Sequence, residues 1–379
     1  MNRKIGIALS ISVSAFASLR SAPALACGGG GVTSRVGVTT NAQRIFMSVR
    51  DSGTTDIVAQ ITVPETTADY GVLIPVPDEP TLDSEPVSAA DMNLLDVLTA
   101  PVITSEAHDS GGSGCGCIGT GATAGGDDDG TKRGVTVSSE ETIGPVVAVS
   151  LTGESGDAVR AWLVDNGFSL PQTDAPTLDR YVGAGKYFIA IRRSDQALDG
   201  GPTSIGIHYS LTGDHRMLSL GFTRIGAAAT LAITLYLAAP QTVGPSEPFK
   251  ALTLSDLDAT TLRRSDYPRA VQSAVAARAS KAFVLESATP RSNIASSIPS
   301  LARLIDPNAT LTRATTVVAR EQINDDVVFA TPFTGAVPSQ RQVSLSLAAP
   351  GVRYAGMGSL GLLLLAGALR RRSRSALGR

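Results

Sequence analysis

Residues 35–63 read RVGVTTNAQRIFMSVRDSGTTDIVAQITV. Two runs rich in β-branched side chains, Arg35–Val49 and Thr54–Val63, stand on either side of the break Asp51-Ser52-Gly53. β-Branched side chains pack well on a pleated surface, and a short polar break ending in Gly lets the chain reverse. This stretch therefore predicts a β-hairpin, and a fold led by strands.

The reading extends outward in both directions. Tyr70–Val76 is a further short strand, stopped by Pro75 and Pro77. Asp91–Thr99 predicts a short helix with Leu94, Leu95 and Leu98 on one face. Val135–Val137 and Pro145–Leu151 read as strands. Ser155–Asn166 reads as a helix: Ser155 caps it, Asp157 suits the positive end of its dipole, and Gly167 ends it. Val159, Trp162 and Leu163 share one face of that helix, and Leu178–Val182 adds a further helical turn. Lys186–Ile191, Thr203–Ser210, Met217–Phe222 and Leu231–Leu237 read as four strands. Tyr267–Ser280 predicts a helix capped by Ser265 or Asp266, with Tyr267, Val271, Val275 and Ala279 at every fourth position. Lys281–Glu286, Thr310–Ala319 and Val327–Phe329 complete the folded pattern, with Val343–Leu347 as one last strand. Strands dominate, and the helices do not alternate strictly with them. That argues an α+β body over residues 27–347, either undivided or in two similar-sized lobes meeting near Ala239–Glu247.

One internal stretch breaks the pattern. Residues 109–134 contain ten Gly, and Ile118 is their only large apolar side chain. Too little surface is available there to offset the entropy of ordering the chain, so the segment reads as an inserted loop.

The two ends read as addresses. Asn2-Arg3-Lys4, the apolar run Ile5–Leu19 and the small-x-small site Ala24-Leu25-Ala26 make residues 1–26 a secretory signal peptide. Cleavage there exposes Cys27, a candidate for a lipid or for a disulfide; Ala24 stands where lipoprotein signals usually carry Leu. At the other end, residues 348–354 hold Pro350-Gly351 and read as a linker. The uncharged run Ala355–Leu369 follows, centred on Leu362, Leu363, Leu364 and Leu365, and then Arg370, Arg371 and Arg372. As a helix that run spans about 22 Å, short of the roughly 30 Å hydrocarbon core, a gap that snorkelling Arg side chains and local thinning can close. The Arg cluster should stay cytoplasmic and leave the body outside. The segment 355–379 resembles the tripartite sorting tails of exported bacterial proteins, although no Cys follows Cys117.

The charge supports this division. The whole chain carries a formal −2, but the two ends hold eight of its 32 basic residues and none of its 34 acidic ones. Residues 27–353 are therefore at about −10, which repels phosphate backbones and disfavours nucleic acid as a partner.

The order of several short elements carries a resemblance. They are Cys27-Gly28-Gly29 after the signal, Leu73-Ile74-Pro75-Val76-Pro77, Ala161-Trp162-Leu163 with Asn166-Gly167-Phe168, and Leu178 through Tyr181-Val182 to Lys186-Tyr187-Phe188-Ile189-Ala190. Tyr267 with Ala282-Phe283-Val284, Leu311-Thr312-Arg313 and Asp325-Asp326-Val327-Val328-Phe329 follow. Together these resemble the exported bacterial family catalogued as domain of unknown function 2330, over about residues 27–330. The resemblance implies an exported envelope protein and no catalytic residues. Gly30-Gly31 occupies the place where members often have aromatics and a second Cys, so a local N-terminal disulfide is not implied.

Candidate chemistry is sparse. His108, Cys115 and Cys117, with Asp127-Asp128-Asp129 nearby, offer soft-metal ligands, but the spacing does not match a zinc knuckle. No metal and no cofactor are therefore expected, and no catalytic residue is assigned. His208, on a predicted strand, and His215, after Gly213-Asp214, are the bases available to a hydrolase, although no G-x-S-x-G, phosphate loop or H-E-x-x-H is present. The leading expectation is a non-catalytic envelope protein. Its body would bind an unknown ligand or envelope protein, and its tail would hold it to the membrane. An envelope hydrolase acting through His208 or His215 is the alternative.

Overall fold

A computed structural model describes residues 29–33, 39–63, 70–105, 134–194, 203–263, 266–335 and 342–345. The strands in chain order are β1 (Gly31–Thr33), β2 (Thr40–Val49), β3 (Thr54–Val63), β4 (Gly71–Val76), β5 (Thr81–Leu82), β6 (Val102–Ser105), β7 (Val135–Ile143), β8 (Val146–Gly153), β9 (Tyr187–Arg193), β10 (Thr203–Thr212), β11 (Met217–Leu218), β12 (Ala227–Ala239), β13 (Gly244–Pro245), β14 (Lys250–Thr253), β15 (Ala282–Pro290), β16 (Thr310–Ala319), β17 (Val327–Ala330) and β18 (Gln342–Leu345). The helices are α1 (Ala89–Thr99), α2 (Gly156–Asp165), α3 (Ala175–Gly183), α4 (Ala259–Arg263), α5 (Tyr267–Ala276) and α6 (Pro299–Ala302). The class is α+β, as expected.

The predicted hairpin forms. β2 and β3 pair antiparallel from Arg44↔Gln60 to Val49↔Thr55, and Gly53 takes φ +82 in the turn. The pair lies inside an eight-stranded sheet of order β14-β15-β16-β12-β2-β3-β10-β5. A second sheet runs β1-β4-β9-β8-β7, and a small third one runs β11-β17-β13.

Side-chain alternation fixes the layers, because successive residues of a strand point to opposite faces. On β2 and β12, Ile45, Met47, Leu235 and Leu237 enter the main core, while Phe46, Tyr236 and Ala238 enter a different cluster with Met92 and Leu95 of α1 and Leu301 of α6. On β4, β8 and β9, Ile74, Ala148 and Ile189 enter the same main core. Their neighbours Leu73, Val149 and Phe188 join Trp162 of α2 and Leu178 of α3. The two large sheets thus face each other across one core, and each is covered on its outer face by helices. The inner strands β4, β8 and β9 are buried on both faces, which explains why they read as nearly continuous apolar runs.

The two-lobe arrangement does not hold. Segment 239–247 lies between β12 and β14, and both are strands of the same eight-stranded sheet. β12 also runs parallel to β2, so the later half of the chain is hydrogen-bonded to the earlier half along the middle of that sheet.

Three local readings are also corrected. The strand expected at Met217–Phe222 stops at Leu218, and a 3-10 turn over Leu220–Arg224 drops Phe222 into the second core against Tyr181 at 5.0 Å. Leu94 points outward; Met92 and Leu95 are the large apolar side chains that α1 buries, with Asp91 and Thr99. Helix α5 ends at Ala276, and Ala279 is exposed with φ 53.

The expected signal peptide 1–26, most of the glycine-rich segment 109–134, and the expected linker 348–354 and tail 355–379 lie outside the described residues. Among the described residues, no helix is long and apolar enough to cross a membrane.

Candidate functional site

The metal candidates His108, Cys115 and Cys117, the lipid or disulfide candidate Cys27, and the anchor candidates Leu362–Leu365 and Arg370–Arg372 all fall outside the described residues. The site is therefore built around His208, His215 and what the fold brings to them.

His208 sits on β10 between β3 and β5, opposite Val58 in the β3 register. Its Nε2 lies 2.9 Å from Asp56 Oδ1 and its Nδ1 lies 2.9 Å from Asp83 Oδ2. Carboxylates only accept hydrogen bonds, so both contacts are made together when each ring nitrogen carries a proton. Arginines extend the cluster. Arg50 bonds Asp56 at 3.2 Å and Asp306 at 2.8 Å, and Arg303 approaches Asp83 at 3.6 Å. Burial alone would raise the Asp83 carboxyl; the Glu85 backbone N–H, the hydrogen bond and charge of His208, and the charge of Arg303 outweigh it and hold that carboxyl below its ordinary range. The imidazole is buried and both its nitrogens are occupied. It clamps three strands together, and in this arrangement it has no nitrogen free to take a proton from a nucleophile.

His215 lies in a different place. Its Nε2 meets the Thr212 carbonyl at 2.7 Å and Asp78 Oδ2 at 3.2 Å, and its backbone N–H donates to Thr55 Oγ1. Among the described residues, no Ser or Thr hydroxyl is bonded to either imidazole ring. Around His215 is an open cleft of about 340 Å³. Pro77, at the end of β4, and Lys186, at the start of β9, form one wall; Met217 of β11 with Val328 and Phe329 of β17 form the other. Asp214 and Arg216 complete the lining, with Arg216 holding Asp214 through Nε at 2.8 Å and Nη2 at 2.5 Å. The lining surface is thus mainly apolar, with the charged side chains of Lys186, Asp214 and Arg216 among it, a combination found in ligand clefts.

A further polar cluster is closed to ligands. Glu286 is fully buried and accepts from Arg313 Nε and the Tyr267 hydroxyl. Arg313 Nη1 reaches Asp96 Oδ1 at 2.6 Å, and Tyr236 OH donates to the same oxygen at 2.7 Å. Burial, together with the neighbouring Glu286, pushes the Tyr267 phenol far above its ordinary value, which keeps it a neutral donor. The register of β15 against β16 slips between Leu285 and Ser287, so Glu286 is the extra residue of a bulge. A bulge re-aims a side chain, here toward the core charge of Arg313. In the sequence Tyr267 stands out only as a helix-face position and part of a short family-like element, and Arg313 only as part of such an element; Asp56, Asp83 and Asp96 are not singled out. No local signal marks those three, because each meets its partner from more than a hundred positions away.

Comparison with known proteins adds little about activity. No curated protein matches the sequence. Two crystal structures of a mutated baculovirus P35 after caspase cleavage align with 55% of this chain. They cover 73% and 74% of their own chains at 11% and 8% identity, with TM-scores of 0.25 and 0.23, a likeness too slight to carry any argument. The sequence profile of an uncharacterized protein conserved in bacteria, domain of unknown function 2330, matches residues 22–248, ending earlier than the residue 330 expected from the short elements. That match takes in His208, His215 and the hairpin that organises the main sheet, and by it the chain belongs to this bacterial family.

Proposed function

We propose that this protein is exported and held at the cell envelope by its C-terminal tail, and that its α+β body binds a ligand or partner without catalysing a reaction. The observation that carries the non-catalytic part is the His208 ring, both of whose nitrogens are spent on Asp56 and Asp83. At His215 only Nε2 is engaged, by the Thr212 carbonyl and Asp78, and among the described residues no Ser or Thr hydroxyl bonds that ring. Export and anchoring rest on residues 1–26 and 355–379, whose basic start, cleavage site, apolar run and Arg finish are sequence features. The open, largely apolar cleft beside His215 offers such a body a place for a ligand.

The test is fractionation of cells making the tagged protein, alongside a version truncated after Arg353. The expected result is a mature N-terminus at Cys27, the full chain in the membrane fraction, and the truncated body soluble outside the cytoplasm. Replacing Leu363 and Leu364 with Asp should release the body in the same way, since each charge at mid-span costs about 2.5–3.5 kcal/mol on insertion scales. An uncleaved chain found in the cytoplasm would overturn export. A truncated body that stays with the membrane would move the anchor to Cys27, where mass spectrometry would look for a lipid.

A further inference from the structure

We propose that the cleft beside His215 binds an organic carboxylate bearing an apolar group, with the carboxylate on the Lys186 ammonium and the apolar group over Met217 and Val328. This deepens the ligand-binding reading above and rests on it.

Three observations converge. The first is charge. Of the lysines among the described residues, Lys250 meets Glu247 and Lys281 meets Asp325 at 2.7 Å, whereas Lys186 has no carboxylate partner. In a body with more acidic than basic residues, a half-buried lysine without a counterion is out of keeping with its surroundings. The second is that the other cation and the carboxylate of the lining are already taken up by each other: Arg216 holds Asp214 through both Nε and Nη2. Lys186 is thus the lining cation with no carboxylate on it. The third is apolar surface. Val328 is 53% exposed, one of the few large apolar side chains left in water among the described residues, and it lies with Met217 and Phe329 in the same cleft. An apolar group there would gain from burial, while an ammonium beside a low-dielectric wall strengthens a charge-assisted hydrogen bond. A cleft of about 340 Å³ is at the small end for ligand sites and suits one side chain with its terminal carboxylate.

Two sources offer this chemistry, a small free acid and the C-terminal residue of a peptide. The experiment uses the full chain in nanodiscs of zwitterionic lipid and ligand-observed NMR titration. Its probes are N-acetyl-leucine and N-acetyl-Ala-Ala-Leu, each as the free acid and as the amide. The acids are expected to bind at least about tenfold more tightly than the amides, the size of one lost charge-assisted contact. Lys186→Met should lose that discrimination, Lys186→Arg should keep most of it, and Val328→Asp should abolish binding, all with unchanged melting. Tighter binding of the tripeptide supports the proposal with a peptide end as the source; equal binding of the two acids supports it with a small acid. Equal affinity for acid and amide, an unaffected Lys186→Met variant, or no saturable binding in the millimolar range would overturn it. An envelope partner crosslinked equally well by the parent and by Lys186→Met would also overturn it, and would leave the broader binding reading standing.

Discussion

Arg313 on β16 and Glu286 on β15 form an ion pair inside the protein, with the carboxylate wholly shut off from water. The pair exists because the β15 bulge places Glu286 where Arg313 already bonds Asp96 of α1. Separate elements, a helix and two strands, are thereby held in one charge network. Removing one partner of such a pair strands the other, and that costs far more than the pair contributes on balance. Glu286→Ala should destabilise by about 3–5 kcal/mol, read from the denaturant midpoint. The double variant Glu286→Leu with Arg313→Met should cost less than the sum of the two single changes. A midpoint for Glu286→Ala equal to that of the parent would show that the network is not formed.

The His208 clamp predicts an acid-sensitive contribution. The folded Asp83 carboxyl is held below its ordinary value of 3.8. The unfolded state therefore takes up protons first as pH falls. The stabilisation from Asp83 is fully present above that ordinary value and is lost as pH drops through the folded value. Thermal melts of the parent and of Asp83→Asn between neutral pH and about pH 3 should differ at neutrality and converge at the acid end. A constant difference across that range would rule out the linkage.

Trp162 on α2 packs against Phe168 with ring centroids 6.1 Å apart and is nearly inaccessible. Trp162→Ala should cost about 3–5 kcal/mol, as for other large buried aromatics, and move the urea midpoint accordingly. An unchanged midpoint would place the indole on the surface.

Ala279 holds φ 53 and Ser280 holds φ 59, two successive residues in the left-handed region after α5. A Cβ disfavours that conformation by about 1–2 kcal/mol, whereas Gly adopts it freely but loses more entropy on folding. Ala279 is exposed and offers no packing to lose. Ala279→Gly should therefore leave stability unchanged or raise it by up to about 1 kcal/mol. The opposite change at a left-handed glycine, Gly226→Ala, should destabilise, since the new Cβ would lie 2.3 Å from the Val32 carbonyl oxygen. Calorimetric melting of the two variants checks the contrast.

Much of the local structure was legible because its causes are local. Ser155 accepts from the Ala158 N–H as a cap, Asp266 does the same for Arg269, and Gly53 and Gly167 take the positive φ that a turn and a helix end require. The apolar runs also announced a strand-rich body. Strand ends were less legible: β7 runs to Ile143 and β15 to Pro290, well beyond the short runs read at each place. Their extra residues alternate with polar ones or follow a bulge, so composition alone did not extend them.

The amino-acid sequence by itself determined the strand-led α+β class, the hairpin, the capped helices and the family-like order of short elements, because each depends on residues within a few positions of one another. The tertiary structure alone decided the rest. It interleaved both halves of the chain in one eight-stranded sheet through the parallel pairing of β12 with β2. It surrounded His208 with Asp56 and Asp83, buried Glu286 against Arg313, and left Lys186 without a counterion in an apolar cleft. The physical reason is that sheet pairing and buried charge matching join residues far apart in the chain. Their energies depend on which groups share a place in space, and a side chain's neighbours in sequence carry no record of that.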